Sequence, residues 1–227
     1  MVVLGSKVYV KGDARDRALD GLRGLVDNRF GDLDATYEIG HREDDFPVVT
    51  VDGSDAPIAR NLLREEFGEM VANHEAGETY VGTLDSWDDD GFVLDVSMGQ
   101  TVRIPAENLD LGQGTPEQIR KRFGLVQHLP LRFVAGEEPR LAEAEVDRLY
   151  DWQRGGDHNN GRVNTNSATR SEVRATVNKS GHAQDIVTVE RLGLLEMSIV
   201  CDPDTDAPGL LADIGRFMPS ELLAVVP

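Results

Sequence analysis

The sequence predicts an α+β protein of three parts. These are an N-terminal β-α-β-β-α sandwich (residues 1–72), a small central β-barrel (73–138) and a C-terminal α/β unit (139–227). Apolar residues recur at helical spacing in the first part, alternate with polar residues in the second, and follow a capping box in the third. A chain of 227 residues suits two or three small domains better than one large core.

The first part contains three predicted strands and two predicted helices. Residues 7–11 form the first strand, and apolar residues at helical spacing then predict a helix that Asp13 caps. Alternating residues predict strands over 35–39 and 46–50, and a second helix follows over 58–67. This order is typical of a split α/β sandwich, for which a scaffold role is the simpler interpretation.

The central part is built on residues 77–105, which read GETYVGTLDSWDDDGFVLDVSMGQTVRIP. Period-two alternation between Asp- and Gly-rich turns predicts three strands of an antiparallel meander. A helix over 115–123 and a strand over 129–134 follow. Tyr80, Trp87 and Phe92 place rings near one face of the barrel, as five-stranded barrels of the OB type do when they hold nucleic acid.

Three motifs in this stretch carry a resemblance to a known family. They are G-E-x-Y-x-G-x-L from Gly77, D-G-F-V-L-D from Asp90, and the dipeptide Ile104-Pro105. Together they resemble the first three strands of the S1-type RNA-binding barrel. Over its whole length the chain also resembles an uncharacterised archaeal family, found in halophiles among others, with an S1-like middle. The resemblance implies an S1/OB-like fold for the central part and RNA as a partner.

The third part begins with a helix over 141–152 and a linker over 155–161. Thr169 and Glu172 form a capping box that predicts the start of the next helix. A further helix is predicted over 183–192. The remaining predicted elements are a strand over 197–201, a helix over 208–217 and a strand over 222–226.

The chain is strongly acidic, with a net charge of −18 from 41 acidic and 23 basic residues. Only four of the basic residues are lysines, and aspartate outnumbers glutamate by 24 to 17. Such a surface stays hydrated when salt screens charges within a few ångströms, which predicts a halophilic cytosol. Molar salt also weakens binding driven by phosphate charge, so a nucleic-acid binder in that setting relies on stacking and hydrogen bonds as well.

Other features of the composition narrow the class of protein. The single cysteine, Cys201, excludes an internal disulfide and a cysteine-rich zinc site. No apolar run is long enough to cross a bilayer, and the first residues lack the pattern of a signal peptide. We therefore expect a cytoplasmic protein without a membrane partner.

Candidate RNA-binding residues fall into two groups. In the barrel, Tyr80 or Phe92 would stack on a base, or else fill the interior, and Arg103 and Arg132 would lie along the same surface. The second group lies in residues 159–191, the one window with more basic than acidic residues. Its members are Arg162, Asn164, Asn166, Arg170, Arg174, Lys179 and His182. The alternative is that these arginines pair with Glu172, Asp185 or Glu190.

No motif predicts a metal site, a cofactor or a catalytic centre. Asp202, Asp204 and Asp206 have the spacing of a calcium loop, but Ala207 stands where the sharp turn needs glycine. The histidines are scattered without ligand spacing. The sequence favours a non-enzymatic RNA-binding protein of an archaeal, halophilic cytoplasm. The alternatives are a protein-protein adaptor in a translation or transcription assembly and an RNA-processing enzyme that uses Asp185, Glu190 or His182.

Overall fold

The computed structural model describes residues 1–156 and 160–227. The protein is mixed α+β, as predicted, with three antiparallel sheets and six α-helices in these residues. The linker predicted over 155–161 includes residues 157–159, which lie outside the described ranges. Within the described ranges no helix combines the length and apolar character needed to span a bilayer.

The N-terminal domain packs two helices against a three-stranded sheet. Its elements are β1 (Val2–Val3), α1 (Asp13–Phe30), β2 (Thr36–His41), β3 (Pro47–Asp52) and α2 (Ala56–Phe67), and the strand order is β1-β3-β2. Leu22 and Val26 of α1 pack with Leu63 of α2 on the buried valines of β3. The helical spacing of these apolar residues explains why both segments are helices, as predicted. The predicted cap is wrong: α1 begins at Asp13 itself, and its N-cap is Gly12, without a side-chain hydrogen bond.

The strand predicted over 7–11 is wrong. The first strand is Val2–Val3, and residues 7–10 have no regular secondary structure. Their side chains are used between domains instead: Lys7 Nζ donates to Asp95 Oδ2 at 2.6 Å, and the Tyr9 hydroxyl donates to Glu196 Oε1 at 2.8 Å. The segment therefore serves contacts between domains rather than a sheet.

The central domain is a curled five-stranded sheet. Its elements are β4 (Thr79–Asp88), β5 (Gly91–Asp95), β6 (Thr101–Pro105), α3 (Pro116–Phe123), β7 (Pro130–Val134), β8 (Arg140–Leu141) and α4 (Glu143–Arg154). The strand order is β6-β5-β4-β7-β8, and the two edge strands come close together, which makes the sheet a half-barrel. The predicted three-stranded meander is confirmed, and Thr115 forms a capping box with Gln118 at the start of α3.

The C-terminal domain is a four-stranded sheet covered by two helices. Its elements are β9 (Arg162–Thr165), α5 (Arg170–Lys179), β10 (Ile186–Arg191), β11 (Met197–Cys201), α6 (Ala207–Gly215) and β12 (Leu222–Val225), in the strand order β10-β11-β9-β12. The capping box of Thr169 and Glu172 is confirmed. The helix predicted over 183–192 is wrong, because β10 forms a hairpin with β11. Its β-branched run from Ile186 to Val189 favours a strand.

The three domains meet around the segment Ser6–Tyr9. Ser6 Oγ accepts from the backbone N–H of Leu194 at 2.8 Å, and the Tyr9 hydroxyl accepts from Ser167 N at 2.8 Å. Tyr9 also packs on the ring of His128 from the central domain, with 4.1 Å between ring centroids. Side chains of one segment thus touch both other domains, and these contacts hold the edges of a groove that runs between the three.

Candidate nucleic-acid interface

Three adjoining recesses form one continuous groove between the domains. The first and largest, about 700 Å³, lies between α1, α4, the start of α5 and β10, and we call it the inner chamber. It shares Arg148, Arg191 and Leu192 with a second recess of about 200 Å³. The second recess shares Gly68, Val81 and Arg132 with a third, of about 320 Å³, that reaches Tyr80. We call the whole feature the interdomain groove.

Two carboxylates beside this groove are each shared by two arginines. Glu66 forms ion pairs with both Arg29 and Arg191. Glu145, whose side chain is fully buried, accepts from Arg148 Nε at 3.0 Å and lies 3.8 Å from Arg132 Nη1. One negative charge between two guanidinium groups leaves a positive excess at each position.

Arg170 increases that excess. Its Nε donates to the carbonyl oxygen of Val189 at 2.6 Å, and within the described residues it makes no ion pair. Nearby, Arg162 pairs one to one with Glu190 at 2.9 Å. The third recess adds the ion pair of Arg64 and Glu69, so among the described residues in and around the groove seven guanidinium groups face four carboxylates. This balance is opposite in sign to the net charge of −18.

The pKa of Arg191 reflects this crowding. Burial lowers the pKa of its guanidinium below the usual range, and the neighbouring charges of Arg170 and Arg29 lower it further, while Glu66 opposes the shift. Binding of an anion beside a partly desolvated charge that is surrounded by like charges is favourable, because it lowers the electrostatic free energy of that charge. The groove is therefore suited to an anionic ligand.

Two aromatic rings lie along the groove. Tyr80, at its outer recess, is half-buried; it packs edge-on against His74 at 4.6 Å, and its hydroxyl accepts from Glu75 N at 2.9 Å. Trp152 lines the inner chamber and has guanidinium groups over its ring, from Arg148 at 4.7 Å and from Arg162 at 5.2 Å. It is 5% exposed, which leaves its faces to these arginines rather than to a base.

Four of the sequence-predicted residues lie in or beside the interdomain groove: Tyr80, Arg132, Arg162 and Arg170. Three others are buried. Phe92 is fully enclosed in the half-barrel core, so it has no face to offer a base. Asn164 donates to Gly124 O at 2.9 Å and Asn166 to Gln127 O at 3.2 Å, so both amides connect the C-terminal sheet to the central domain.

The remaining predicted residues lie away from the groove. Arg103 makes a two-point ion pair with Asp88, at 2.8 Å between Nη2 and Oδ2. Lys179 lies over the ring of Phe217, with Nζ 5.7 Å from its centroid. Arg174 is exposed on α5, one turn beyond Arg170. The structure thus divides the predicted basic window between two surfaces.

The residues considered for catalysis are not assembled into one centre. His182 lies between two carboxylates, with Nδ1 at 2.6 Å from Asp185 and Nε2 at 3.3 Å from Asp213. Glu190 is engaged with Arg162 beside the groove instead. In the part of the chain that the structure describes, no group of three acidic, histidine or cysteine side chains is arranged to hold a metal ion.

A buried carboxyl group lies next to the groove at the domain junction. Glu196 is fully buried; Tyr9 donates to its Oε1, while Oε2 has no hydrogen-bond partner among the described residues. Burial raises the pKa of this carboxyl to about 8, and the hydrogen bond from Tyr9 only partly opposes the shift. At neutral pH the side chain is therefore mostly protonated.

Arg148, Arg191, Trp152 and Glu196 were not identified from the sequence as site residues. Arg148 and Trp152 could have been grouped from the sequence, because residues four apart on a helix share a face. Arg191 is the last residue of the basic window 159–191, but no pattern around it marks it as a ligand-binding residue. The sharing of Glu66 by Arg29 and Arg191 had no local signal, because the three residues come from distant segments.

The chain was compared with known proteins. No match was found among curated proteins. Family models match almost the whole chain: the DUF2110 N-terminal domain over residues 1–73, the DUF2110 central domain over 74–153 and the DUF2110 C-terminal domain over 160–226. The order of the three matches is the order in which the three sheets follow along the chain. The chain therefore belongs to the DUF2110 family.

Proposed function

We propose that this protein binds RNA in the interdomain groove, without catalysing a reaction, in the cytoplasm of a halophilic archaeon. The observation that carries the proposal is the charge of the groove. Seven guanidinium groups and four carboxylates lie along it in a chain whose net charge is −18. Arginine is suited to this task because its planar fork binds phosphate through two hydrogen bonds.

The length of the groove favours a polymer over a single anion. Basic side chains line each of its three recesses in turn, ending at Arg132 and the ring of Tyr80. A strand of nucleotides presents phosphates repeatedly along its length and a base wherever a ring is available for stacking. Tyr80 lies on β4 and Arg132 on β7, which are paired strands, so both belong to the sheet whose motifs resemble an S1/OB-like barrel.

Binding of RNA at high salt requires more than electrostatic attraction. The Debye length is about 3 Å at 1 M salt, so distant charges contribute little. The partly buried guanidinium groups of Arg148 and Arg191, with side chains 28% and 25% exposed, are screened less than surface groups. Hydrogen bonds from these arginines and stacking on Tyr80 are the interactions that survive in a halophilic cytosol.

The test compares two arginines of one helix. Arg170→Gln removes a guanidinium from the groove, while Arg174→Gln removes one from an exposed position outside it. We expect Arg170→Gln to weaken binding of a fluorescent single-stranded oligoribonucleotide about tenfold, or about 1.4 kcal/mol. It should also reduce the slope of log K against log salt by about one. Arg174→Gln should behave as wild type.

The same titration can contradict the proposal. If both variants bind RNA as wild type does, the groove is not the RNA site. If neither variant nor wild type binds RNA from 0.2 to 3 M salt, and a protein complex that resists nuclease is recovered instead, the adaptor function replaces this one. Circular dichroism of both variants controls for folding.

A further inference from the structure

The inner chamber has two chemically different walls. One wall is apolar and comes from α1, where Ala18, Leu22 and Leu25 face the cavity. The opposite wall carries Arg170 and Arg191, with hydroxyl groups nearby from Thr169, Ser171 and Thr188. A ligand that fits both walls has an apolar, flat part and an anionic part that also accepts hydrogen bonds.

The size of the chamber also constrains its ligand. Its volume of about 700 Å³ falls in the range of about 300–1,000 Å³ that is typical of small-molecule sites. An inorganic anion would leave the apolar wall uncovered, and a nucleic-acid duplex is too wide to enter. A nucleotide fits, because its base can lie on Gly21 and the half-buried Leu25 while its phosphate reaches the two arginines.

A glycine keeps the apolar wall open. Gly21 lies in the interior of α1 and lines the chamber, and a Cβ added there would meet no atom within 4 Å. Glycine in a helix interior costs about 1 kcal/mol relative to alanine. Packing against neighbouring atoms does not explain it here. The same is true of Gly24 outside the chamber, but at Gly21 the absent side chain leaves room for a ligand on the chamber wall.

The charge of the polar wall matches one phosphate group. Arg170 makes no ion pair among the described residues, and Arg191 has only half of a shared carboxylate. Glu190 also lines the chamber, but Arg162 neutralises it at 2.9 Å. A phosphate bound between Arg170 and Arg191 would relieve the repulsion between their guanidinium groups.

We propose that the inner chamber binds one nucleoside 5′-monophosphate unit, with its phosphate on Arg170 and Arg191 and its base against the apolar wall of α1. The unit comes either from the 5′ end of an RNA strand in the groove or from a free mononucleotide. The first source depends on the proposed function, and the second does not. The chemistry of recognition is the same for both.

The first arm of the experiment measures small ligands by isothermal titration calorimetry. Adenosine 5′-monophosphate should bind wild type more tightly than adenosine or inorganic phosphate does, because only it reaches both walls. Gly21→Leu fills the chamber and should weaken this binding at least tenfold. Gly24→Leu is the matched control, since it also enters open space on α1, is outside the chamber, and should bind as wild type does.

The second arm identifies the source of the nucleotide. If it is an RNA end, a 5′-phosphorylated oligoribonucleotide should bind more tightly than its 5′-hydroxyl form, and Gly21→Leu should abolish the difference. If it is a free mononucleotide, adenosine 5′-monophosphate binds but Gly21→Leu leaves RNA affinity unchanged. Each of these results supports the inference.

Two results separate this inference from the proposed function. If RNA binds wild type but adenosine 5′-monophosphate does not, and Gly21→Leu leaves RNA affinity unchanged, the chamber is not a nucleotide site while the groove still binds RNA. If adenosine 5′-monophosphate binds in the chamber but RNA does not bind at all, the chamber holds a free nucleotide and the RNA function fails. Circular dichroism of the two leucine variants shows that both are folded.

Discussion

The half-barrel and the interdomain groove use the same residue types in opposite ways. In the half-barrel, the ring of Phe92 is sealed in the core and Arg103 has a carboxylate of its own, Asp88. In the groove, Tyr80 keeps part of its ring accessible, and pairs of arginines share one carboxylate. Aromatic and basic residues in a sequence therefore do not mark a binding surface by themselves.

The difference follows from where the charges meet. A small barrel is filled by its own side chains, and an exposed arginine on a strand can pair with an acid of the neighbouring turn. The groove is assembled from three domains, and its charge excess comes from the C-terminal and central domains, while the N-terminal domain supplies as many carboxylates as guanidinium groups. Glu66 comes from the N-terminal domain and Arg191 from the C-terminal domain, and they meet only when the domains dock.

The largest expected effect is a loss of stability caused by a substitution in the core of the half-barrel. Phe92→Ala removes a fully buried ring from the central core. We expect the free energy of unfolding to fall by about 3–5 kcal/mol in chemical denaturation. The milder Phe92→Leu should remain folded and bind RNA with wild-type affinity. A loss of RNA affinity in folded Phe92→Leu would show that the half-barrel core contributes to binding after all.

A smaller effect on stability, of a few kcal/mol at most, is expected from the ionisation of Glu196 at the domain junction. The pKa of Glu196 is about 8 in the folded protein and about 4.5 ordinarily, so the folded state keeps a proton that the unfolded chain releases. Its contribution to stability is fully present below pH 4.5 and is lost as pH rises from 4.5 to 8.

The variant Glu196→Gln shows how much of the pH dependence of stability comes from Glu196. Glutamine keeps the shape of the side chain and cannot ionise, so denaturant unfolding of the variant should lose this part of the pH dependence and show greater stability than wild type at pH 8. Tyr9→Phe is the control, since it removes the hydrogen bond to Glu196 without removing the titrating group. Parallel stability curves for wild type and Glu196→Gln from pH 5 to pH 8 would contradict the assigned pKa.

The smallest effect is expected at the exposed pair of Arg103 and Asp88. Both side chains are largely in solvent, where ion pairs contribute little to stability. Arg103→Gln should leave the thermal midpoint and the affinity for RNA unchanged in the same assays. A clear drop in RNA affinity would extend the binding surface from the groove to the edge of the half-barrel.

Local signals in the sequence predicted much of the fold. Alternation between Asp- and Gly-rich turns correctly placed β4, β5 and β6, and the capping box at Thr169 correctly placed the start of α5. Local signals failed where tertiary contacts determine the secondary structure. The run from Ile186 to Arg191 is compatible with the period of a helix and with that of a strand. Its pairing with β11 makes it a strand.

The site was harder to predict than the fold. Arg132 and Arg170 were identified because each stands in a local pattern of strand or basic residues. The carboxylate that Arg132 shares, Glu145, could not be assigned, because β7 and α4 come together only in the folded domain. One unused signal was local: Gly21 and Gly24 interrupt an otherwise regular helix, which calls for a reason other than helix stability.

The most direct test of the central claim is the location of RNA on the protein. Ultraviolet crosslinking of a single-stranded oligoribonucleotide in molar salt, followed by mass spectrometry of the peptides, gives that location. The account predicts crosslinks at Tyr80 and in peptides that contain Arg148 and Arg170, which line the groove. Crosslinks confined to the edge of the half-barrel at Trp87 and Arg103, with none in the groove, would contradict it.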